Sequence, residues 1–501
     1  MIKNIFKFSE DGTILTEVLD KSITNITVPN NVTSIGQSAF SDCVLLQNIK
    51  IPNSVKVIEW FAFKNCSLLE TIDIPNSVIT IKSDVFSGCS SLKNINVVND
   101  NMQYSSVEGI LFSKDLTKII KYPNGRKVLK YKIPKTVNII EKSAFKDCSL
   151  LQNIEIPSTI ITIESGAFIN CSLLQDIEIP NTITTIKGAT FRNCKSLSFI
   201  DIPNSVTTIE SAAFKNCSSL QSIDIPNSVT TIGQSAFEHC SSLQSIYIPN
   251  SITTIERQTF KDCSSLQSID LPNSLTTIES GAFNGCLKLQ SIDIPKNVTT
   301  IGHCAFMECN NLTNINIPNN ATINNCVFCG CNLLKTIKID INNSNYIFKK
   351  NAIYSKDLSV FVKYFNDSNI KEYILFNEVS TIKKGAFCKS SLKNIYIPNH
   401  VSTIEEQAFF FCSSLECMDI PNSVKIIGKG AFSGCTLLKE LHIHWAQIDD
   451  VQINNLAFGV VNEINMEMCT LYIPPGTRWI YRHHPVFGKF KNIVIEKQAK
   501  V

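Results

Sequence analysis

No stretch of this 501-residue sequence approaches 18 consecutive apolar residues, so no membrane-spanning helix is expected. Charge is scarce as well. Only 18% of residues are Asp, Glu, Lys or Arg, which leaves much of the solvated surface to Ser, Thr, Asn and Gln. A net charge of +3 sets up no strong attraction to nucleic acid or an anionic membrane, and no nucleic-acid partner is expected. The opening MIKNIFKFSEDGTILTEV has no long apolar core and no small-residue cleavage site, so it does not read as a secretory leader. A cytoplasmic location or a non-classical route to the cell surface follows as the expectation. The phosphate-binding and nucleophile words G-x-x-x-x-G-K-S/T, G-x-G-x-x-G, H-E-x-x-H and G-x-S-x-G are all missing. The seven histidines form no set with Asp and Ser at related spacings. Neither an enzyme nor a cofactor is expected.

What is present is one word repeated along the chain, as in Leu220–Ser242, LQSIDIPNSVTTIGQSAFEHCSS. Its prolines recur every 23 residues: Pro29, Pro52 and Pro75, then Pro134 through Pro318 with one proline per coil, then Pro398 and Pro421. A fixed period in this range marks stacked structural repeats. Within a coil, Ile223 and Ile225 flank Asp224 in strand-type alternation. Pro226 has no N–H to donate, so the strand ends or turns there, and Asn227 and Ser228 are turn formers. Val229 and Ile232 mark a second extended piece, and Ala236-Phe237 opens a compact turn, read as a helical turn, that closes at Cys240. The residue before that cysteine is usually Asp, Asn or Gly, types that tolerate positive φ. Stacking such coils at the strand spacing of about 4.8 Å places like on like: isoleucines, Phe214 on Phe237 on Phe260, Cys217 on Cys240 on Cys263.

The pattern L-x-x-I-x-I-P-x-x-V-x-x-I-x-x-x-A-F-x-x-C resembles the BspA-type leucine-rich repeat family, over most of the chain. The resemblance implies a right-handed β-solenoid with short parallel strands. It also implies a non-enzymatic role in protein–protein recognition, since relatives are often surface proteins that bind host or matrix proteins. Adhesion or surface interaction is the favoured expectation, and an intracellular scaffold is the alternative.

Fourteen of the twenty cysteines fall in the A/V-F-x-x-C column. One small, buried, weakly polar residue per coil is a core role. The missing leader favours reduced thiols over disulfides. No two C-x-x-C words converge in the sequence, so no metal site is expected.

Read in order, residues 1–27 form an N-terminal cap, 28–97 a run of repeats, 98–131 a hairpin insertion, 132–340 nine further coils and 341–374 a second insertion; 375–443 hold the last repeats and 444–501 a C-terminal cap. That makes one curved solenoid of about fifteen coils. Ser9-Glu10-Asp11, Ser113-Lys114-Asp115 and Ser355-Lys356-Asp357 are echoes of one β-hairpin turn. In the cap, Arg478, Trp479, Tyr481, Arg482, Lys489 and Lys491 are basic and aromatic, and the aromatics are expected to pack over the last coil.

One surface column varies in an informative way. Between the two strand isoleucines stand Glu155, Glu178, Asp201, Asp224, Tyr247, Asp270 and Asp293, six of the seven acidic, whereas Lys50, Lys132 and Lys338 occupy the position elsewhere. Alternation points these side chains away from the core. They form the candidate partner-binding strip, and a basic protein partner is expected there.

Overall fold

The computed structural model describes residues 5–367, 369–458, 466 and 468–496. The ends of both expected caps, one position of the second insertion and parts of the stretch 459–467 lie outside these residues. The chain divides into two compact units, Met1–Ile252 and Thr253–Val501, and each is a β-solenoid.

In the first unit most coils contribute two short strands, and most strands pair in parallel with their copy one coil on. Ser222–Asp224 pairs with Ser245–Tyr247 in the register Ile223↔Ile246, and Thr208–Ile209 pairs with Thr231–Ile232. The second unit repeats this arrangement in Asn314–Ile317 against Thr336–Ile339 and Thr277–Ile278 against Thr300–Ile301. Isoleucines of both ladders are buried, as the alternation predicts. At Pro226 the chain turns, and the Val229 N–H closes the turn on the Pro226 carbonyl at 3.0 Å.

The compact segment before the cysteine is not a helix. Among the described residues the only α-helix is Arg478–His483. Two left-handed residues per coil break the helical path, Ser235 at φ 56° and His239 at φ 60° in this copy. Consecutive three-residue turns result: Ala236 N–H to the Gly233 carbonyl, Glu238 to Ser235 and Cys240 to Phe237, at 3.1–3.2 Å. The left-handed kinks turn alternate N–H groups toward the next coil. Ala212, Phe214 and Asn216 donate to the Gln234, Ala236 and Glu238 carbonyls at 2.8–2.9 Å, so the turn itself becomes a third ladder. The second left-handed column is Asp, Asn or Gly in most coils, in line with the sequence reading, and Asn193 and Asn216 add a side-chain ladder, each amide donating to the side-chain oxygen one coil back at 2.5–2.6 Å.

Behind the turn run two buried columns. The Phe rings stack nearly face to face, 5.2–5.6 Å apart from Phe145 to Phe237 and 5.0–5.1 Å apart from Phe387 to Phe458. Most column thiols donate to the Phe carbonyl of the preceding coil: Cys194 Sγ to Phe168 at 3.2 Å, Cys217 to Phe191 at 3.1 Å, and, in the second unit, Cys309 to Phe283 at 3.1 Å. That carbonyl already accepts the N–H of its own turn's cysteine. Cysteine therefore supplies a second donor to that carbonyl in a space that admits no larger polar group. All twenty cysteines are free thiols, and burial pushes Cys89, Cys148 and Cys240 up to about 12.

The three S-x-D-x-T/S words each close an antiparallel hairpin. Ser9, Ser113 and Ser355 donate to Asp11, Asp115 and Asp357 at 2.6 Å, and the N–H groups of Thr13, Thr117 and Ser359 donate to the same carboxylates at 3.1 Å. Those bonds hold the exposed Asp357 carboxyl down to about 2. Both insertions carry one strand more than a hairpin: Tyr104–Val107, Ile110–Ser113 and Lys118–Lys121 in the first, Tyr346–Lys349, Ala352–Ser355 and Val360–Tyr364 in the second. The last strand of each joins the next coil in parallel, Lys118↔Ile139 and Val360↔Thr381. The insertions are therefore rungs of the stack. With them and the closing rungs, the fold has about 21 turns in place of the fifteen counted from the repeated word.

At the C-terminal end, Tyr481, Phe487 and Phe490 are buried, and the Phe487 and Phe490 rings close over Phe458 at 5.7 and 6.0 Å, whereas Trp479 is 72% exposed. The degenerate turn at Ala457-Phe458 is thus as buried as any complete coil.

Two outcomes follow. Phe214→Ala removes a ring stacked on both sides and should cost about 3–5 kcal/mol in urea unfolding. Phe458→Ala should cost a similar amount, while Phe6→Ala, half-buried at the other end, should cost clearly less; a Phe458 variant that matched Phe6 would show that the cap does not seal the stack. Native alkylation should leave the column cysteines unlabelled and denaturation should expose them all, whereas a non-reducing peptide map linking Cys194 to Cys217 would contradict the thiol ladder.

Candidate interaction surface

The outward face of the first ladder carries two side-chain columns per coil. One is the position between the isoleucines: Glu155, Glu178, Asp201, Asp224 and Tyr247 lie there in the first unit, all exposed. Backbone register joins them, with Lys132 opposite Glu155, Glu178 bridged to Asp201, and Asp224 opposite Tyr247. Asp270 and Asp293 present the same position, also exposed, in the second unit.

The members of the strip are not equivalent. Glu155 is paired, its Oε2 2.5 Å from Lys132 Nζ on the adjacent rung. Glu178, Asp201 and Asp224 have no lysine or arginine within ion-pair distance among the described residues. The second outward column, two residues earlier, adds Asp176 and Phe199. Asp176 stands next to Glu178 on the same strand face, and Phe199 is 53% exposed between acidic rungs. Beside them, Tyr247 is 48% exposed and its Oη donates to Asn227 Oδ1 at 3.2 Å. Two shallow depressions of about 610 and 590 Å³ run along this face, the first lined by Glu155, Asp176 and Phe199, the second by Asp224 and Asn181, and both by Glu178 and Asp201. Considering only the residue between the isoleucines misses Asp176 and Phe199; the preceding x of L-x-x-I-x-I faces outward by the same alternation and signals both.

Carboxylates one rung apart, about 4.8 Å, repel by about 0.9 kcal/mol per pair in water. Salt screens the more distant pairs. The stack tolerates this repulsion, and a basic segment laid along the face would relieve it.

A deeper cavity of about 430 Å³ lies beside the first insertion, lined among others by Asp84, Lys118, Lys121, Glu141 and Lys146. Two ion pairs form within it, Lys146 Nζ 2.7 Å from Asp84 and Lys118 3.3 Å from Glu141, and Lys121 donates to the Ser143 and Lys146 carbonyls. At the C-terminal end Cys417, Glu440 and His442 group together, but His442 Nδ1 is 2.5 Å from Glu496 and its ring stacks on Tyr472, so that group is already satisfied.

In the second unit the fold gathers cysteines that the repeated word does not align. Cys326-Val327-Phe328-Cys329 is a single C-x-x-C word, and the fold brings Cys304 and Cys388 to it from neighbouring coils. The thiols run in a row, Cys388 beside Cys329, Cys329 beside Cys326 and Cys326 beside Cys304, within side-chain hydrogen-bonding reach. Interaction between Cys304 and Cys326 holds the Cys304 thiol below its ordinary range and pushes Cys326 up to about 12. Convergence here comes from stacking and not from a second C-x-x-C, so the spacing in sequence gives no direct sign of it.

Among the described residues no helix is long and apolar enough to cross a membrane. Among solved structures, the chain is similar to a leucine-rich repeat protein from Bacteroides ovatus at 26% identity, covering 80% of this chain and 99% of that one with a TM-score of 0.47. A leucine-rich repeat protein from Eubacterium ventriosum is 24% identical over 59% of this chain and 88% of its own, with a TM-score of 0.43. A leucine rich cell surface protein from Faecalibacterium prausnitzii is 24% identical over 78% of this chain and 92% of its own, with a TM-score of 0.39. No curated protein matches. The model of the BspA type leucine rich repeat region matches residues 19–129, 122–244, 230–359 and 359–470, and with most of its length so matched the chain belongs to the BspA type leucine rich repeat family.

Proposed function

We propose that the protein is a non-enzymatic docking module that takes a basic segment of a protein partner along the outward strand face, with adhesion at a cell surface as its setting. The observation that carries this reading is the group Asp176, Glu178, Asp201 and Asp224, acidic side chains without counter-cations set around an exposed Phe199. A solenoid strand face is an extended platform suited to a peptide or a second domain. Charge of one sign speeds encounter, and a partly exposed aromatic supplies the desolvated anchor that fixes register. Tyr247, and Asp270 and Asp293 at the same column position, extend the chemistry of the strip. An intracellular scaffold using the same face is the second reading; it is favoured by the thiol ladder, whose S–H donors persist in a reducing compartment. Labelling intact, unpermeabilised cells with an impermeant reagent separates the two settings.

The strip itself is tested with a fluorescent peptide rich in Lys and Arg and carrying one aromatic residue. Anisotropy should report saturable binding to the full chain that weakens steeply with salt. Changing Asp176, Glu178, Asp201 and Asp224 together to Asn or Gln should reduce affinity by about tenfold or more at low salt and flatten the salt dependence. The variant should be as stable as the parent or slightly more so in urea, because repulsion is removed. Unchanged binding by this variant would show that the acids are inherited repeat residues.

A further inference from the structure

The four cysteines outside the core column that converge in the second unit belong to two columns of the coil. Cys304 and Cys326 occupy the first left-handed position in consecutive coils, with φ 55° and 58°. Cys329 and Cys388 occupy the position just after the column phenylalanine, behind Phe328 and Phe387. Elsewhere these positions are filled by Ser143, Ser235 or Gln258 and by Lys146 or Glu238. The thiols are therefore departures from the repeated word, placed side by side by the one-coil stacking.

They sit where the second insertion replaces a complete coil and leaves its turn out of the stack. The first insertion leaves the same gap, and there the equivalent positions carry Asp84 and Lys146, joined at 2.7 Å across it. At the second gap the counterparts are Cys326 and Cys388. Their neighbours close in: a Cβ on Gly385 would lie 2.5 Å from Cys326 Sγ and 2.9 Å from Cys329 Sγ, so glycine is what admits the two sulfurs. Cys326 and Cys329 reach the Lys384 and Gly385 carbonyls only at 3.7 and 3.5 Å, against 3.1 and 3.0 Å for the column thiols Cys309 and Cys331. Hydrogen bonding to the backbone does not account for them as it does for the column. The imidazole of His303 joins the group, and one ligand atom each from His303, Cys304 and Cys326 lies within 4.8 Å of the others.

We infer that His303, Cys304 and Cys326, with Cys329 as fourth donor, bind one thiophilic divalent cation of the zinc class on the near side of this gap. A tetrahedral ion with metal–sulfur bonds of about 2.3 Å and metal–nitrogen bonds of about 2.0 Å holds its donors roughly 3.5–3.8 Å apart. The ligand atoms of His303, Cys304 and Cys326 lie within 4.8 Å of one another and must draw closer to reach that spacing, and Cys329 must approach from outside this group. His303 is exposed and Cys304 and Cys326 are half-buried, which leaves an entry path from solvent. Binding is ligand exchange without electron transfer: the thiols release protons to solvent as thiolates take the ion, and the Cys388 S–H remains to donate to the bound Cys329 sulfur. The nearby Lys384 ammonium is neutralised by Glu406 at 2.7 Å and so opposes the cation little. The ion would tie together the two coils that precede the second insertion, whereas the Asp84–Lys146 pair spans the first gap itself.

The test uses the full chain, reduced and stripped with chelator, titrated with cobalt(II). One equivalent should produce a thiolate-to-cobalt charge-transfer band that zinc displaces, and zinc should raise the unfolding temperature. The double variant Cys304→Ser with Cys326→Ser should fold normally, because serine fills this column at Ser143 and Ser235, and should lose the band. Cys417→Ser, outside the cluster, should keep it, and His303→Ala should weaken binding without changing the fold. The inference is overturned if the parent chain gives no band, if the double variant binds cobalt as the parent does, or if protein isolated without reductant carries a Cys329–Cys388 or Cys304–Cys326 disulfide as its resting state.

Discussion

Every coil of this protein depends on the next one for its hydrogen bonds. A globular domain satisfies backbone N–H groups within a helix or between neighbouring strands; here even the turn sends alternate N–H groups to the following coil, as Phe214 does to Ala236 and Asn216 to Glu238. That requirement sets the translation between coils and leaves equivalent side chains no choice but to stack on their own kind. Aromatic rings accept such stacking at 5.0–5.6 Å. Left-handed residues are the cost, of about 1–2 kcal/mol for each non-glycine position. Asn and Asp meet it best because their side chains also hydrogen-bond from coil to coil.

The same constraint explains the cysteines. A buried column position one coil apart from its copies must be small, and the Phe carbonyl behind it has a free lone pair. Serine would bring a strongly hydrated hydroxyl into the core and alanine would bring no donor; a thiol is apolar enough to bury and still donates weakly. Burial then suppresses the thiolate, so the column is chemically quiet. The identical residue type at Cys304 and Cys326, half-buried and beside other thiols, has a different chemistry. Position within the coil, and not residue type, separates a core cysteine from a ligand.

Much of the fold was legible because repetition amplifies weak signals: I-x-I alternation, the proline period and the Asp/Asn/Gly preference at a left-handed site each recur until they leave little choice. The compact segment was misread as a helical turn because A-F-x-x-C spacing suits a helix equally well, and only the two left-handed residues, one of them as ordinary as Ser235 or Ala212, decide otherwise. The insertions read as interruptions because their wording differs, yet Lys118–Lys121 and Val360–Tyr364 pair like any repeat strand. The candidate surface was half legible. Glu178, Asp201 and Asp224 stand out in one column, whereas Asp176 and Phe199 needed the second outward position to be considered as well.

In a stacked repeat, residues that match the word are explained by the stack and carry little information about function. The departures carry it. Phe199 stands where most other coils have Ser, Asn or Thr, and Cys304, Cys326, Cys329 and Cys388 stand at two positions that hold cysteine in no other coil. None of these side chains improves the coil-to-coil contacts already made by the backbone, the phenylalanines and the column thiols. An exposed aromatic on a strand face gains nothing from folding, and two sulfurs crowded against Gly385 forfeit a side chain at that position. The acidic column is intermediate. Duplication alone copies an Asp from coil to coil, but it does not bring Asp176 to a second column beside Glu178, nor set unpaired acids around the exposed Phe199 ring. The case for a docking face therefore rests more on Asp176 and Phe199 than on the regular column that first draws the eye.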